Sequence, residues 1–338
     1  MSARRKISIA IIVFLAAVGG LFYVYHQIYF SHGEQNASIT FNIAKGDGNG
    51  VIATNLKKEG LISQKIYFWL YLKKHNLLNK IYPGDYLLNG NLTIPEIAAI
   101  ITNPQKVFIT VTFPEGWTAE QMADRLSANG FDGGAFLELV NNPPEEILSQ
   151  FSILTKKPKD SSLEGYLFPD TYKFSKEATP EGILEKILNN TELKITDEIR
   201  KEASDQNKSI FQILTMASIL EKEVNTVDNF KIVAGIFWKR IANGQLLQSD
   251  ATLEYVLKTN VLQHSVAETK TNSPYNTYVY KGLPPGPISN PGMNSILATL
   301  NPTDTEYNYF LTDPKNPSNT IYAKTYAEHV TNKQKFGL

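Results

Sequence analysis

Residues 7–25 carry no charged side chain and consist mainly of Ile, Val, Leu, Ala, Gly, Phe and Tyr, which restricts where the remainder of the chain can fold. About 20 apolar residues at ~1.5 Å rise cross the hydrocarbon core of a bilayer, so a transmembrane helix is expected over 7–29. Arg4, Arg5 and Lys6 precede the run, and the positive-inside bias then makes residues 1–6 a cytoplasmic tail. Phe22, Tyr23, Tyr25, Tyr29 and Phe30 fall where an aromatic belt meets the outer interface. The small residues Ala16, Ala17, Gly19 and Gly20 leave a cleaved signal peptide as the alternative. The apolar stretch, however, outruns the ~7–15 residues of an ordinary signal-peptide core. An uncleaved anchor is therefore expected, with a polar tether at 30–37 and an extracytoplasmic remainder.

With 338 residues the chain has room for about two domains of ~100–200 residues. Thirty-three basic and 33 acidic side chains give a formal net charge of zero, so no global field exists to hold a polyanion, and nucleic acid is not an expected partner. Cysteine is absent, which removes thiol nucleophiles, thiolate metal sites and disulfides. The five histidines (His26, His32, His75, His264, His329) are scattered with no His-Glu-x-x-His pair; neither a metal nor a cofactor is expected.

Past residue 37, Ile-Thr-Phe-Asn-Ile alternates like a strand, turns at Ala44-Lys45-Gly46, and enters a helical pattern through Leu56 to Gly60. The layout returns after a shift of seventy residues. Gly46 falls on Gly116, Ala53 on Ala123, Leu56 on Leu126 and Gly60 on Gly130, with Leu61 opposite Phe131. Each copy reads as strand, glycine turn, and a helix stopped by glycine at C′. Residues 67–74 read as a further helix and 82–88 as a turn into a strand. Strand, two helices, strand is the layout of LysM-type glycan-binding modules. Around Trp69 the aromatic run has two readings, core packing or a sugar-stacking face.

The segment 209–224 contains a carboxylate in an apolar setting. At ~100° per residue, Ile210, Ile213, Leu214, Ala217 and Val224 form one stripe, and Glu221 returns to about 20° from Ile210. Glu223 points to the opposite side. A carboxyl among apolar neighbours is costly to ionise, which suits a general acid; a hydrogen-bonded Glu at a helix rim is the structural alternative. Downstream, Gly-Leu-Pro-Pro-Gly-Pro-Ile-Ser-Asn-Pro-Gly at 282–292 is too proline-rich to be a flexible linker. Residues 142–163, with Pro143-Pro144, read as a mobile loop at a groove edge.

Several motifs in order carry a family resemblance: Ala-Ser-Ile-Leu-Glu-Lys-Glu at 217–223, Leu-Gln-Ser-Asp at 247–250, Ser-Pro-Tyr-Asn-Thr-Tyr at 273–278 and the 282–292 loop. Glu-Gly-Tyr-Leu-Phe-Pro-Asp-Thr-Tyr at 164–172 and Ala-Lys-Thr-Tyr-Ala-Glu-His at 323–329 extend it over essentially the whole chain. Together they resemble the YceG-like family. Two departures stand out: Ala251 follows Leu-Gln-Ser-Asp where the family usually has Pro, and Thr320 occupies a position that is often His.

The resemblance implies a single-pass enzyme of the plasma (inner) membrane, a lytic transglycosylase acting on nascent peptidoglycan strands, with peptidoglycan synthases as candidate neighbours. It would cleave the MurNAc-β-1,4-GlcNAc bond, leave a 1,6-anhydro-MurNAc end and terminate strand elongation. The family's catalytic Glu maps onto Glu221, and Gln248, Ser249, Asp250, Tyr275 and Asn276 map onto motif positions with expected substrate-binding roles. The expected fold is α+β: the transmembrane helix, a small LysM-like module at 38–105, and a mixed α+β catalytic domain at 106–338. One rival is a glycoside hydrolase using a second carboxylate from Asp250, Glu164 or Asp170. The other is a membrane-anchored glycan-binding scaffold without catalysis. A Ser-based transpeptidase is disfavoured, since no Ser-x-x-Lys occurs.

Overall fold

A computed structural model describes residues 3–33, 38–259 and 264–337. Residues 34–37 of the expected tether lie outside the described residues. The architecture is mixed α+β with one long apolar helix, α1 (Ala3–Tyr29), at the N-terminus. Two compact units follow from the internal packing: one takes in the chain to Thr110 with the return segment Lys173–Glu177, the other Val111–Tyr172 and Ala178 onward.

The first unit contains α1, β1 (Ser38–Ile43), α2 (Asn49–Lys58), α3 (Lys65–Lys74), β2 (Gly84–Asn89), α4 (Ile94–Ile101) and most of β3 (Phe108–Thr112). Strands β1 and β2 pair antiparallel from Ser38↔Asn89 to Ile43↔Gly84, and β3 joins β2 at Asp85↔Phe108. Phe41, Ile43, Tyr86 and Leu88 alternate onto one face, as period-2 patterning requires. Helices α2, α3 and α4 cover that face with Ile52, Leu56, Phe68, Leu72, Ile97 and Ile101. Strand, two helices, strand is therefore the observed order. The aromatic run on α3 divides: Phe68 is core, whereas Trp69 faces solvent.

The repeat is structural. β1 and β3 both lead through a positive-φ glycine (Gly46, +99°; Gly116, +73°) into α2 and α5 (Ala119–Ala128), each offset by seventy residues. Both helices end in the same way. Leu61 N–H donates to Leu56 C=O at 3.0 Å and Phe131 N–H to Leu126 C=O at 3.1 Å. Gly60 and Gly130 supply the left-handed C′ residue that such a cap needs. This explains why the shared positions are two glycines, the leucine five before each buried cap residue, and an apolar residue after each glycine.

The second unit continues with α6 (Gly133–Asn141), α7 (Glu145–Leu148), β4 (Thr171–Ser175, whose last residues return to the first unit), α8 (Pro180–Lys194), α9 (Asp197–Asp205), α10 (Ile210–Glu223), α11 (Val227–Ala242), α12 (Asp250–Leu257), α13 (Met293–Leu300), the hairpin β5 (Tyr309–Asp313) and β6 (Asn316–Ala323), and α14 (Tyr326–Phe336). Residues 142–163 depart from the mobile loop expected. They hold α7 and a short 3-10 turn, and they bury Ile147, Phe151, Ile153, Leu154 and Leu163. Helix α10 is the centre of this unit, packed by α9, α11, α12 and α13.

Candidate functional site

Helix α10 starts at a capping box in which Ser209 accepts from Gln212 N–H while the Gln212 side chain accepts from Ser209 N–H. Every residue from Ile213 to Leu220 is buried, whatever its angle on the helix. The apolar stripe read from sequence is thus one part of a helix enclosed on all sides, because four helices pack around it. Glu221 follows this run and is only half-buried.

The proline-rich loop at 282–292 runs back along α10 and is pinned to it. Ile288 N–H donates to Ser218 Oγ at 3.0 Å, and Ser289 Oγ donates to Ser218 C=O at 3.2 Å. The loop ends at Gly292, the N-cap of α13. There the Glu221 carboxylate accepts from Gly292 N–H (2.9 Å) and from Ser295 Oγ (2.6 Å). A carboxylate at the N-terminal end of a helix also meets the favourable end of its dipole.

Glu115 lies against the same glycine. A Cβ on residue 292 would fall 2.0 Å from Glu115 Oε1, so a side chain there would push that carboxylate away from the donor to Glu221. Burial first, and then the charge of Glu221, raise the Glu115 carboxyl above its ordinary value. Glu115 and Glu221 thus both lie against Gly292, and a like charge nearby favours the protonated form of Glu115.

Asn290 holds this arrangement together. Gly116 N–H donates to Asn290 C=O at 2.9 Å and Asn290 N–H to Trp117 C=O at 2.8 Å. The Asn290 amide donates to Glu164 Oε1 (2.6 Å) and Trp117 C=O (3.0 Å), while its Oδ1 accepts from Gly165 N–H (2.8 Å) and Leu167 N–H (3.0 Å). Glu164 in turn accepts from Ala119 N–H at the start of α5. Glu164 is thereby a buried brace, and its carboxyl is pushed up to about 7 chiefly by burial, which its hydrogen bonds oppose.

A second polar cluster gathers on the other side of the end of α10. The Leu-Gln-Ser-Asp and Ser-Pro-Tyr-Asn-Thr-Tyr motifs pair with each other. Gln248 N–H donates to Thr277 C=O (3.1 Å), Ser249 N–H to Thr277 Oγ1 (3.1 Å), and Tyr278 OH to Asp250 Oδ1 (2.5 Å). Ser249 Oγ donates to Glu223. Burial and the nearby Asp250 charge push the Glu223 carboxyl up to about 7, against the Ser249 hydrogen bond.

The expected substrate-binding residues therefore divide. Ser249 and Asn276 are buried. The Asn276 amide donates to Thr269 C=O and Thr271 C=O, and its Oδ1 accepts from Tyr278 N–H, so it braces the loop. Tyr275 meets the Tyr255 ring at 5.1 Å between centres, tilted by 43°. Gln248, in the left-handed region at φ +52°, lines a cavity of about 500 Å³ with Arg240, Lys281, Tyr309 and Tyr326. Asp250 is engaged by Tyr278, and Asp170 by Asn190 at 3.1 Å. The carboxylate that shares a glycine with Glu221 is Glu115, which sequence reasoning did not single out. One signal was present: the two repeat copies share a glycine at 46 and 116, but Glu115 stands where the first copy has Lys45.

Glu164 and Glu223 bind a proton more tightly when folded than the ordinary carboxyl at 4.5. Stability from these groups is thus present in full below about pH 4.5 and is lost as pH rises toward about 7. Thermal melts should show a Tm several degrees higher at pH 5 than at pH 8. Glu223→Gln should flatten that slope; an unchanged slope would remove Glu223 from its cause.

Among the described residues no group of His, Asp and Glu is arranged to hold a metal. The YceG-like family matches residues 41–335. The endolytic murein transglycosylase of Streptococcus pneumoniae serotype 2 (strain D39) is 30% identical over 356 residues, covering 96% of this chain. The chain spans 64% of that pneumococcal protein. The endolytic murein transglycosylase of Bacillus subtilis (strain 168) is 30% identical over 318 residues, covering 90% of this chain and 86% of its own length. A 2.6 Å crystal structure of a YceG-like protein from Listeria monocytogenes superposes with a TM-score of 0.60 at 31% identity, covering 87% of this chain and 98% of that one. The chain belongs to the YceG-like family.

Proposed function

We propose that this protein is a membrane-anchored peptidoglycan lytic transglycosylase whose catalytic residue is Glu221. The observation that carries the reading is the Glu221 carboxylate, fixed by Gly292 N–H and Ser295 Oγ and bracketed by Glu115 across Gly292. The names of the relatives support the substrate class, which is the glycan strand of peptidoglycan. Helix α1 serves as the single-pass anchor in the plasma (inner) membrane, with the N-terminus cytoplasmic. The βααβ layout of the first unit supports a LysM-like module in the same chain as the catalytic domain.

Glu221, in its acid form, donates a proton to the glycosidic oxygen as the bond from MurNAc C1 breaks. The electron pair leaves with the GlcNAc oxygen. The muramyl C6 hydroxyl then attacks C1, and its proton returns to the Glu221 carboxylate as the 1,6-anhydro ring closes. Water is not consumed. Glu115, across Gly292, exchanges no proton with the substrate in either half-step. Asn290, Ser249 and Asn276 act through the loops that they brace.

Glu115 also gives the hydrolase reading a specific basis, since a second carboxyl near the first is what that reaction needs. Mass spectrometry of digested peptidoglycan separates the two. Anhydro-muramic ends from wild type, with Glu115→Gln retaining the same product at about 10-fold lower rate, are the expected outcome. Reducing ends from wild type would establish hydrolysis, and their loss in Glu115→Gln would make Glu115 the nucleophile or water base.

A further inference from the structure

Helix α3 presents an apolar face that the core does not use. Phe68 and Leu72 point into the first unit, whereas Ile66 (51% exposed), Trp69 (39%) and Leu70 (38%) face outward. Lys65, Lys73 and Lys74 surround them, the Lys73 ammonium lies 4.7 Å from the Trp69 ring centre, and α3 holds no acidic residue. A groove of about 410 Å³ opens beside Ile66 and Trp69, between the starts of α2 and α3.

The level of this face is set by α1. Ser63, just before α3, donates to the Gln27 side chain. Tyr67 meets Tyr23 edge-on at 6.4 Å between ring centres, and Tyr71 meets Tyr29 at 6.4 Å. The segment 63–71 thus lies against the last two turns of α1. An apolar helix starting at Ile7 reaches the far boundary of a ~30 Å hydrocarbon core after about 20 residues, which is where His26 and Gln27 interrupt it. Helix α3 is therefore packed at the level where hydrocarbon gives way to headgroups.

From this placement we infer that the Ile66–Trp69–Leu70 face of α3 is a docking surface for the outer leaflet of the bilayer that α1 spans. The apolar side chains enter the acyl–headgroup boundary, and Lys65, Lys73 and Lys74 meet anionic headgroups. The first unit is then seated on the membrane by α3 in addition to being tethered by α1. This inference rests on the anchor reading of α1.

The chain's lack of cysteine makes a single introduced thiol a unique label site. The full chain carrying Leu70→Cys, labelled with an environment-sensitive fluorophore, is reconstituted into phosphatidylethanolamine–phosphatidylglycerol vesicles. Leu193→Cys, at a residue 76% exposed on α8, is the comparison. The expected result is flotation of both chains with the vesicles, a blue-shifted label at 70, and quenching by headgroup-proximal spin-labelled lipid several-fold stronger at 70 than at 193. Flotation with equal quenching at 70 and 193 overturns the docking surface and leaves the anchor standing. Failure to float overturns the anchor and the docking together. A label at 70 that ignores lipid but responds to added glycan strands assigns the face to sugar and also overturns the inference.

Discussion

Glu221→Gln should lower peptidoglycan cleavage by about 10²–10⁴-fold, the contribution expected of a positioned general acid–base group. The substitution is nearly isosteric. Its amide oxygen can still accept from Gly292 N–H and Ser295 Oγ, the two contacts that hold Glu221 now, so the fold and the loop position should survive. Only the ability to give and take a proton is removed. The check is anhydro-muropeptide release by mass spectrometry beside a thermal melt of the same preparation. Retained cleavage in a normally melting variant would shift the chemistry to Glu115 or to the Glu223 cluster. Lost cleavage with a large drop in Tm would be uninformative about the proton, and the near-isosteric choice is meant to avoid that result.

Asn290→Ala carries the largest expected effect on stability. Four hydrogen bonds of one buried side chain disappear. Gly165 N–H and Leu167 N–H are orphaned at a place where water does not replace the partner, and the buried Glu164 carboxyl keeps Ala119 N–H but loses the Asn290 donor. Each such orphaned group costs about 1–3 kcal/mol, so a total on the order of 4 kcal/mol or more is expected, read as a Tm lower by roughly 10 °C. Asn290→Asp tests the cause. It keeps an acceptor for the two N–H groups but sets a second carboxyl against Glu164, so its deficit should be larger at pH 8 than at pH 5, where protonation relieves the repulsion. A deficit independent of pH would mean that Glu164 is not the group affected.

The two repeat copies were legible because their signal is local. A positive-φ glycine at C′, a buried leucine four positions before it and an apolar residue directly after it fall within six residues of the chain. Glu221 was singled out from sequence, though the stripe argument that pointed to it describes a helix whose residues 213–220 are all buried. Glu115 was not legible, since it lies on a different element 106 positions before Glu221 and meets it only through Gly292. Asn276 and Ser249 were expected to bind substrate because they map onto motif positions of the family that the chain resembles. Their burial depends on the pairing of two loops, which no local pattern reveals.

What the sequence determined by itself was therefore whatever depends on neighbours within a few residues. It includes the apolar helix long enough to cross a membrane, the strand–helix repeat with its glycine caps, and the family motifs around Glu221. Only the tertiary structure decided which carboxyls share a site, which polar side chains are braces, and that α3 sits against the last turns of α1. Those outcomes depend on contacts between residues far apart in the chain, and packing chooses among such contacts by excluding water from some polar groups and leaving others wet.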